Sequence, residues 1–233
     1  QYGTTVHCES YSVEDTARVL SAGRITQISL VPSMLAQLMD HAPEALRNVR
    51  NCLVGGGPVH LALLKRCHAA GIYPQTTWGM TEAGSQIVTR TLDDKSTGAH
   101  VGVPLPFVTV EVESARLKVS GPLVNAPLLS NDVGHMDGRQ QVTVLGRADD
   151  VIVTSGHKIY PQVVEGYFEG IAHVQDCCVI GLPHETWGQV VTLIMHMSSL
   201  TEISACLQPL NLVCRDMPSK LKPRRVFVCD VLP

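Results

Sequence analysis

The chain has 233 residues, of which 45% are hydrophobic and 17% charged, so disordered and fibrous proteins are excluded and one or two globular domains are expected. Its formal net charge of −3 argues against nucleic acid as a partner, since proteins that bind duplex phosphates usually carry a basic excess. No apolar run approaches the roughly 18 residues of a membrane span, and the amino terminus lacks the pattern of a signal peptide. We therefore expect a soluble, cytoplasmic protein without a membrane span.

The chain has 8 cysteines, but none of them forms a Cys-x-x-Cys pair or a regular cluster with histidine. A chain of this length with a full apolar complement does not need disulfides to be stable. We expect free and mostly buried thiols.

The first part of the chain alternates between helix and strand patterns. Ser12, followed by Asp15, is typical of a helix start, and Gly23 is typical of a helix end. Further helices are predicted from Pro32 and over 61–70, and strands over 25–31, 52–54 and 72–75. This succession predicts a mostly parallel sheet with helices packed on it. Ligands bind beyond the carboxyl ends of such strands, where the chain carries 55–57 and 76–82.

The pattern changes after about residue 102. Short β-like stretches between Pro and Gly turns predict a small antiparallel sheet or barrel, at 108–112, 117–119 and 141–145. A compact α+β unit is expected from residue 150 onward, with helices over 162–170 and 203–217 and strands over 177–180, 190–197 and 225–228. The predicted fold class is α/β: part of a large domain, made of a parallel sheet with helices and a small β-barrel-like subdomain, followed by a smaller α+β C-terminal domain.

Residues 76–82 read Thr-Thr-Trp-Gly-Met-Thr-Glu and combine groups that suit a nucleotide. A planar base can stack on Trp78, and Gly79 lets the backbone approach a ligand closely. Thr81 can donate a hydrogen bond to a phosphate oxygen, and Glu82 can hold a divalent cation. The competing interpretation is an ordinary strand and capped helix, with Trp78 filling the core.

Residues 130–134 and 146–165 carry a family resemblance. They read Ser-Asn-Asp-Val-Gly and Gly-Arg-Ala-Asp-Asp-Val-Ile-Val-Thr-Ser-Gly-His-Lys-Ile-Tyr-Pro-Gln-Val-Val-Glu. These stretches resemble the patterns T-G-D-x-G and G-R-x-D-D-x-I-x-x-G-G-x-x-I-x-P-x-x-V-E of the adenylate-forming superfamily of acyl-CoA synthetases, luciferases and peptide-synthetase adenylation domains. Residues 77–82 resemble its Y-G-x-T-E motif. The glycines at 55–57 resemble its adenine-side turn and have the spacing of neither a P-loop nor a Rossmann motif.

The resemblance implies a nucleotide site for ATP. Trp78 would stack on adenine, and Asp132 would accept hydrogen bonds from the ribose hydroxyls, which suits an acceptor-only carboxylate. Arg147 would bridge ribose and phosphate with its guanidinium fork. The implied nucleotide-binding residues are Gly55, Gly56, Gly57, Thr77, Trp78, Gly79, Asp132 and Arg147.

The resemblance also implies catalytic, metal and coenzyme A contacts. Thr81 would contact the α-phosphate, and Glu82 would hold Mg²⁺, which offsets negative charge at phosphorus. Asp149 matches the hinge about which the small domain turns between two half-reactions. Gly156 matches the loop that lines the pantetheine tunnel. Lys158 would meet a phosphate of coenzyme A or lie in solvent, and the sequence leaves both open.

The implied reaction joins a small carboxylic acid to coenzyme A through an acyl-adenylate. Residues 85–89, Ser-Gln-Ile-Val-Thr, resemble the o-succinylbenzoate:CoA ligases of menaquinone synthesis. Met80, Ser85 and Gln86 would then contact the acid. Ser85 and Gln86 could instead only cap and pack a helix start.

The implied domains are 1–148, the later part of a large AMP-binding domain, and 149–233, a small C-terminal domain. The superfamily's phosphate loop, expected upstream, and its catalytic lysine, expected after Pro233, are not in the sequence. We therefore expect a fragment, or a sequence that omits segments. Two alternatives stay open: a short- or medium-chain fatty acyl-CoA synthetase, and a non-catalytic nucleotide-binding remnant. The oligomeric state is also open, with a homodimer as one option.

Overall fold

The structure of the protein is a computed structural model that describes residues 11–171, 173–197 and 203–229. The first half contains three α-helices and five strands. They are α1 (Val13–Ser21), β1 (Gln27–Leu30), α2 (Pro32–His41), β2 (Asn51–Val54), α3 (Leu61–Ala69), β3 (Gln75–Trp78), β4 (Val88–Thr89) and β5 (Val103–Pro104). One-turn or short 3-10 helices lie at Pro43–Asn48 and Thr81–Ala83.

The five strands form one sheet in the order β1-β2-β3-β4-β5. Strands β1, β2 and β3 are parallel, and β4 and β5 add antiparallel to them. Helices α1 to α3 bury their apolar side chains against one face of the sheet, in a cluster that includes Leu20, Leu35 and Val54. The predicted alternation of helices and parallel strands is confirmed.

Local sequence signals explain where the helices begin and end. The Ser12 side chain accepts a hydrogen bond from the backbone N–H of Asp15, which caps α1. Pro32 occupies the first turn of α2, where a missing N–H costs nothing. Gly23 and Gly71 follow α1 and α3 with φ of 69° and 75°, a backbone conformation that glycine adopts without strain.

The strand predicted over 72–75 lies three residues further along the chain, at Gln75–Trp78. Ile72 donates its backbone N–H to Cys67 at the end of α3, so it still belongs to the helix terminus. Pro74 has no N–H to give to a sheet. As a result Thr76 and Thr77 are strand residues and do not lie in a loop beyond the strand.

The second sheet is antiparallel, in the order β6-β7-β8-β9. Its strands are β6 (Thr109–Glu113), β7 (Arg116–Ser120), β8 (Leu128–Met136) and β9 (Val142–Arg147). Of the two predicted alternatives, a small antiparallel sheet or a barrel, the described strands form the sheet. Strand β8 was not predicted from periodicity, because four of its five central residues are polar or glycine and its register shifts between Val133 and Gly134.

The third sheet belongs to the predicted α+β unit. Its elements are β10 (Ile152–Thr154), β11 (His157–Ile159), α4 (Pro161–Phe168), β12 (Val174–His184), β13 (Gly188–Met197), α5 (Ile203–Asp216) and β14 (Arg225–Cys229). The strand order is β11-β10-β13-β12, and β14 pairs with β13 in parallel. Phe168, Leu193 and Leu210 contribute to its core. The β10–β11 hairpin was not predicted; Ser155 and Gly156 form its turn, both with positive φ.

Two expectations from composition can be compared with the described residues. No helix among them is long and apolar enough to cross a membrane. Six of the described cysteines are free thiols, namely Cys52, Cys67, Cys177, Cys178, Cys214 and Cys229, while Cys8 lies outside the described residues. Burial raises the pKa of Cys52 to about 12 and that of Cys67 to about 11, so these thiols stay protonated.

Candidate nucleotide site

Three strands bring together residues that are far apart in the sequence. Trp78 is the last residue of β3, Asp132 lies in β8, and Arg147 is the last residue of β9. Asp132 and Arg147 are direct neighbours in the β8–β9 register. The indole Nε1–H of Trp78 donates a hydrogen bond of 2.8 Å to Oδ2 of Asp132. The structure therefore places the predicted base, ribose and phosphate residues beside one another.

Trp78 is itself a core residue. Its side chain is 7% exposed and belongs to a cluster with Ile87, Val110 and Leu117. The core-filling interpretation thus describes part of what Trp78 does. Its contact with adenine stays a prediction, and its polar N–H is satisfied by Asp132 as a buried indole requires.

Two glycines of the predicted site are required by packing. A Cβ atom on Gly79 would overlap the backbone oxygen of Ser85, and a Cβ atom on Gly55 would lie 2.5 Å from Cγ2 of Thr77. Gly56 has a φ of 80°, and Gly57 is in ordinary contact range of Pro32. The chain needs glycine at 55 and 79 even without a ligand, so these positions by themselves do not distinguish a nucleotide site from a tight strand end.

The segment after Trp78 presents Thr81 and Glu82 to solvent. Both lie in the 3-10 helix Thr81–Ala83 and are exposed. The turn closes when the backbone N–H of Ser85 donates to the carbonyl of Met80. Ser85 has a φ of 84°, and it is exposed. These side chains are accessible to a ligand that lies over the strand ends.

The exposed carboxylate of Glu82 is an oxygen ligand of the kind that Mg²⁺ prefers. The described ranges contain no group of three or more His, Cys, Asp or Glu side chains that could hold a metal alone. Mg²⁺ typically takes one or two carboxylates and completes its shell with water and substrate phosphates. Glu82 fits that pattern, which requires a phosphate ligand to be present.

Gln86 and Thr77 take part in a chain of hydrogen bonds between β3 and β4. The Gln86 amide donates to Oγ1 of Thr89, which lies 3.3 Å from Oγ1 of Thr77. Thr77 donates in turn to the carbonyl of Val88 at 2.7 Å. The side chains of Thr77 and Gln86, both predicted ligand contacts, are therefore hydrogen-bonded within the protein. In the described structure, Ser85 is not part of this series of hydrogen bonds.

Arg147 is paired with the predicted hinge residue. Its Nε and Nη2 donate to the two carboxylate oxygens of Asp149 at 2.9 and 2.8 Å, and Asn131 donates to Asp149 at 3.3 Å. The hydrogen bond from Arg147 holds the pKa of Asp149 below its usual value, and the same bond raises the pKa of Arg147. Both side chains are about half exposed, at 46% and 51%.

The chain was compared with known protein families, curated proteins and solved structures. The model of the AMP-binding enzyme family matches residues 1–125, more than half of the chain. The chain belongs to the AMP-binding enzyme family.

Relatives of this family member include the 2-succinylbenzoate–CoA ligases of Listeria monocytogenes serotype 4b (strain F2365) and Bacillus subtilis (strain 168). Each is 30% identical and aligns with 100% of this chain and 53% of its own length. Among solved structures, the B. subtilis o-succinylbenzoate CoA synthetase with the acyl-adenylate intermediate OSB-AMP has a TM-score of 0.85 and 28% identity, over 96% of this chain and 51% of that one. The same synthetase with ATP and a magnesium ion has a TM-score of 0.80 and 27% identity, over 96% and 52%. The chain spans about half the length of the curated relatives that it matches.

Gly156 and Lys158, the predicted coenzyme A contacts of this AMP-binding enzyme, lie on the β10–β11 hairpin, which follows the predicted hinge. Both are exposed, and a Cβ atom on Gly156 would meet no atom within 4 Å. The described structure contains no hydrogen bond between either residue and Trp78, Asp132 or Arg147. It therefore does not join these two positions to the nucleotide residues.

Arg90 is a residue that the sequence analysis missed. It is 1% exposed, and its guanidinium donates to Oγ1 of Thr76 at 3.2 Å and to the carbonyl of Gly98 at 2.9 Å. Burial lowers the pKa of Arg90. The side chain ties β3, which ends at Trp78, to the connection between β4 and β5. The available signal was its position two residues after Val88, which puts it on the same side of the chain as that buried residue.

Proposed function

We propose that the protein to which this chain belongs is an ATP-dependent, AMP-forming acid:CoA ligase, with o-succinylbenzoate as the acid. The observation that carries the proposal is the apposition of Trp78, Asp132 and Arg147 on β3, β8 and β9, with Thr81 and Glu82 exposed in the turn that follows Trp78. The named relatives and the OSB-AMP complex of a similar structure support the choice of acid.

In the first half-reaction, a carboxylate oxygen of the acid attacks the α-phosphorus of ATP. The bond between the α-phosphorus and the bridging oxygen breaks, and pyrophosphate leaves with the electron pair. Asp132 holds the ribose, Arg147 contacts ribose and phosphate, and Thr81 donates to the α-phosphate. Glu82 would hold Mg²⁺, which supplies positive charge near the phosphates when bound. These groups orient the reactants and stabilise the developing charge. Positioning and charge stabilisation are the main contributions of a protein to a reaction at phosphorus.

In the second half-reaction, the thiol of coenzyme A attacks the acyl carbon, loses its proton, and displaces AMP. We propose that the unit 149–233 turns about Asp149 relative to 1–148 between the two steps. The turn would bring the open backbone at Gly156 to the thiol's path, with Lys158 near a coenzyme A phosphate. The exposure of both residues on the β10–β11 hairpin leaves them accessible to such a ligand.

The acid would contact the segment that follows β3. Ser85 is exposed and suited to a hydrogen bond with the acid, and Met80 offers a partly buried apolar surface. Gln86 would have to exchange its bond to Thr89 for one with the acid. The proposal includes a role in menaquinone synthesis and a cytoplasmic location, where ATP and coenzyme A are available.

The test is AMP release by the full-length protein, with ATP, Mg²⁺ and coenzyme A, on a panel of acids. We expect o-succinylbenzoate to give the highest kcat/KM and straight-chain fatty acids of short and medium length to give far less. Glu82→Gln should lower the rate about 100-fold or more, the usual cost of a lost charge-stabilising group, whereas Glu185→Gln, an exposed glutamate on the β12–β13 turn, should not. Equal rates with fatty acids, or no AMP with any acid, would overturn the proposal.

A further inference from the structure

The hydrogen bond between Trp78 and Asp132 joins two different sheets. Trp78 ends β3 of the first sheet, and Asp132 lies within β8 of the second. The indole ring is 7% exposed and packed in a hydrophobic cluster, so its N–H points in a fixed direction. Asp132 is only half-buried.

Within the described part of the chain, no other hydrogen bond orients the Asp132 carboxylate. The Ser130 hydroxyl bonds to the backbone of Asp132 at 3.1 Å and does not reach its side chain. Arg147 lies opposite Asp132 in the β8–β9 pairing, but its guanidinium donates both of its side-chain hydrogen bonds to Asp149. The orientation of this carboxylate thus depends on Trp78.

A carboxylate has about four lone-pair positions on its two oxygens. The indole bond uses one position on Oδ2, which leaves Oδ1 and the second position on Oδ2 for other donors. Two adjacent hydroxyl groups of a ribose supply two such donors. A tryptophan at 78 can therefore fix the carboxylate without competing with the ribose for all of its acceptor sites.

We propose that Trp78 is a positioning residue for ribose recognition: its indole N–H holds the Asp132 carboxylate in the orientation that accepts hydrogen bonds from the ribose hydroxyls of an adenine nucleotide. The inference rests on the proposed function, since it takes Asp132 as the ribose contact. It assigns to Trp78 a task that phenylalanine cannot perform, because phenylalanine fills the core and offers a π face but has no donor.

The experiment compares the affinities of the full-length protein for ATP and 2′,3′-dideoxyATP, with Mg²⁺, by calorimetry. Trp78→Phe should weaken ATP binding roughly tenfold, the usual effect of losing a hydrogen bond to a charged group, and leave dideoxyATP binding nearly unchanged. Asp132→Ala should bring the two affinities together. In the double variant, Trp78→Phe should cause no further loss of discrimination, because both changes remove one interaction.

A second replacement keeps the test independent of core packing. Benzothienylalanine at position 78 has nearly the shape of tryptophan but carries sulfur in place of the N–H. It should reproduce the loss of ribose discrimination seen with Trp78→Phe, even if the phenylalanine variant folds poorly.

The outcomes separate the two proposals. If the wild-type protein distinguishes the nucleotides and the N–H-free variants do so equally well, the positioning role is wrong and the proposed function stands. Equal weakening of ATP and dideoxyATP would reduce Trp78 to a packing residue and also overturn the inference. A wild-type protein that binds neither nucleotide, or that does not distinguish them, would overturn the nucleotide site itself.

Discussion

The guanidinium of Arg147 holds the carboxylate of Asp149 through two hydrogen bonds, of 2.9 and 2.8 Å. This pair links a proposed phosphate contact to a proposed hinge over only two residues. A nucleotide that engages the same guanidinium fork has to compete with Asp149. We infer that nucleotide binding and release of the hinge are coupled through this pair.

Asp149→Asn should therefore strengthen ATP binding. The amide keeps the size of the side chain but removes the charge that holds Arg147, so less interaction is lost when the nucleotide binds. For an exposed pair we expect a gain of up to roughly fivefold in affinity. Calorimetry on the full-length protein measures it, with Asp150→Asn as a control of equal charge change. Unchanged or weaker binding, or the same gain in the control, would contradict the coupling.

Asp149→Pro should separate the two half-reactions. Proline fixes φ and removes the backbone N–H, which restricts rotation about this residue. We expect acid-dependent pyrophosphate exchange to persist while thioester formation is lost, and Asp149→Asn should retain both. A parallel loss of both half-reactions in the proline variant would speak against a hinge at this position.

Gly79→Ala should destabilise the fold severely. The added Cβ would overlap the backbone oxygen of Ser85, and backbone cannot move aside as a flexible side chain can. We expect the free energy of unfolding to fall by at least about 3 kcal/mol, as for strong overpacking. Gly138→Ala is the matched control, because a Cβ there meets no atom within 4 Å and should change stability little. Similar denaturation midpoints for the two variants would show that the close approach is absent.

Phe107→Gly should stabilise the protein. Phe107 has a φ of 68°, in the left-handed region that is strained for a residue with a Cβ atom. Its side chain is 88% exposed, so no burial of the ring compensates for this strain. Relief of that strain is worth about 1 kcal/mol. Phe107→Ala removes the exposed ring but keeps a Cβ, and it should not stabilise. If the alanine variant gains as much as the glycine variant in chemical denaturation, the effect comes from the ring and not from the backbone.

His100 should make the fold sensitive to mild acid. Burial lowers its pKa, and the charge of Arg90 lowers it further, although Asp94 and Asp137 act in the opposite direction. The folded pKa thus lies below the unfolded value of about 6.5, so the unfolded chain takes up the proton first. The contribution of neutral His100 to the free energy of unfolding is therefore fully present above the pKa of the unfolded state. It is lost as the pH falls from there through the pKa of the folded state.

Urea unfolding at pH 7.5 and pH 5.5 tests this prediction. Wild-type protein should lose more stability between these two conditions than His100→Asn, which cannot titrate there. The comparison isolates His100 from the other histidines of the chain. Equal losses in the two proteins would show that His100 titrates normally.

Local signals predicted the first helices well, because Ser12, Pro32 and the glycines at 23 and 71 act through their own backbone. The strands were predicted less well, because their bounds depend on pairing with strands that are distant in the sequence. Strand β3 follows the register with β2, and Ile72 stays on the helix terminus. Strand β8 has little alternation of its own and depends on its neighbours β7 and β9.

The site shows the same limit. Motif resemblance placed Trp78 and Asp132 in one site, but their hydrogen bond spans 54 positions and leaves no local pattern. Arg90 was missed because a lone arginine next to a short strand is usually exposed, and only the carbonyls that surround it explain its burial.

The most direct test of the central claim is ATP–pyrophosphate exchange by the full-length protein in the absence of coenzyme A. Exchange reports formation of an acyl-adenylate and nothing later. We predict exchange that depends on o-succinylbenzoate and falls about 100-fold or more in Asp132→Ala and Glu82→Gln. Exchange that does not depend on the acid, or that survives both substitutions, would contradict the account.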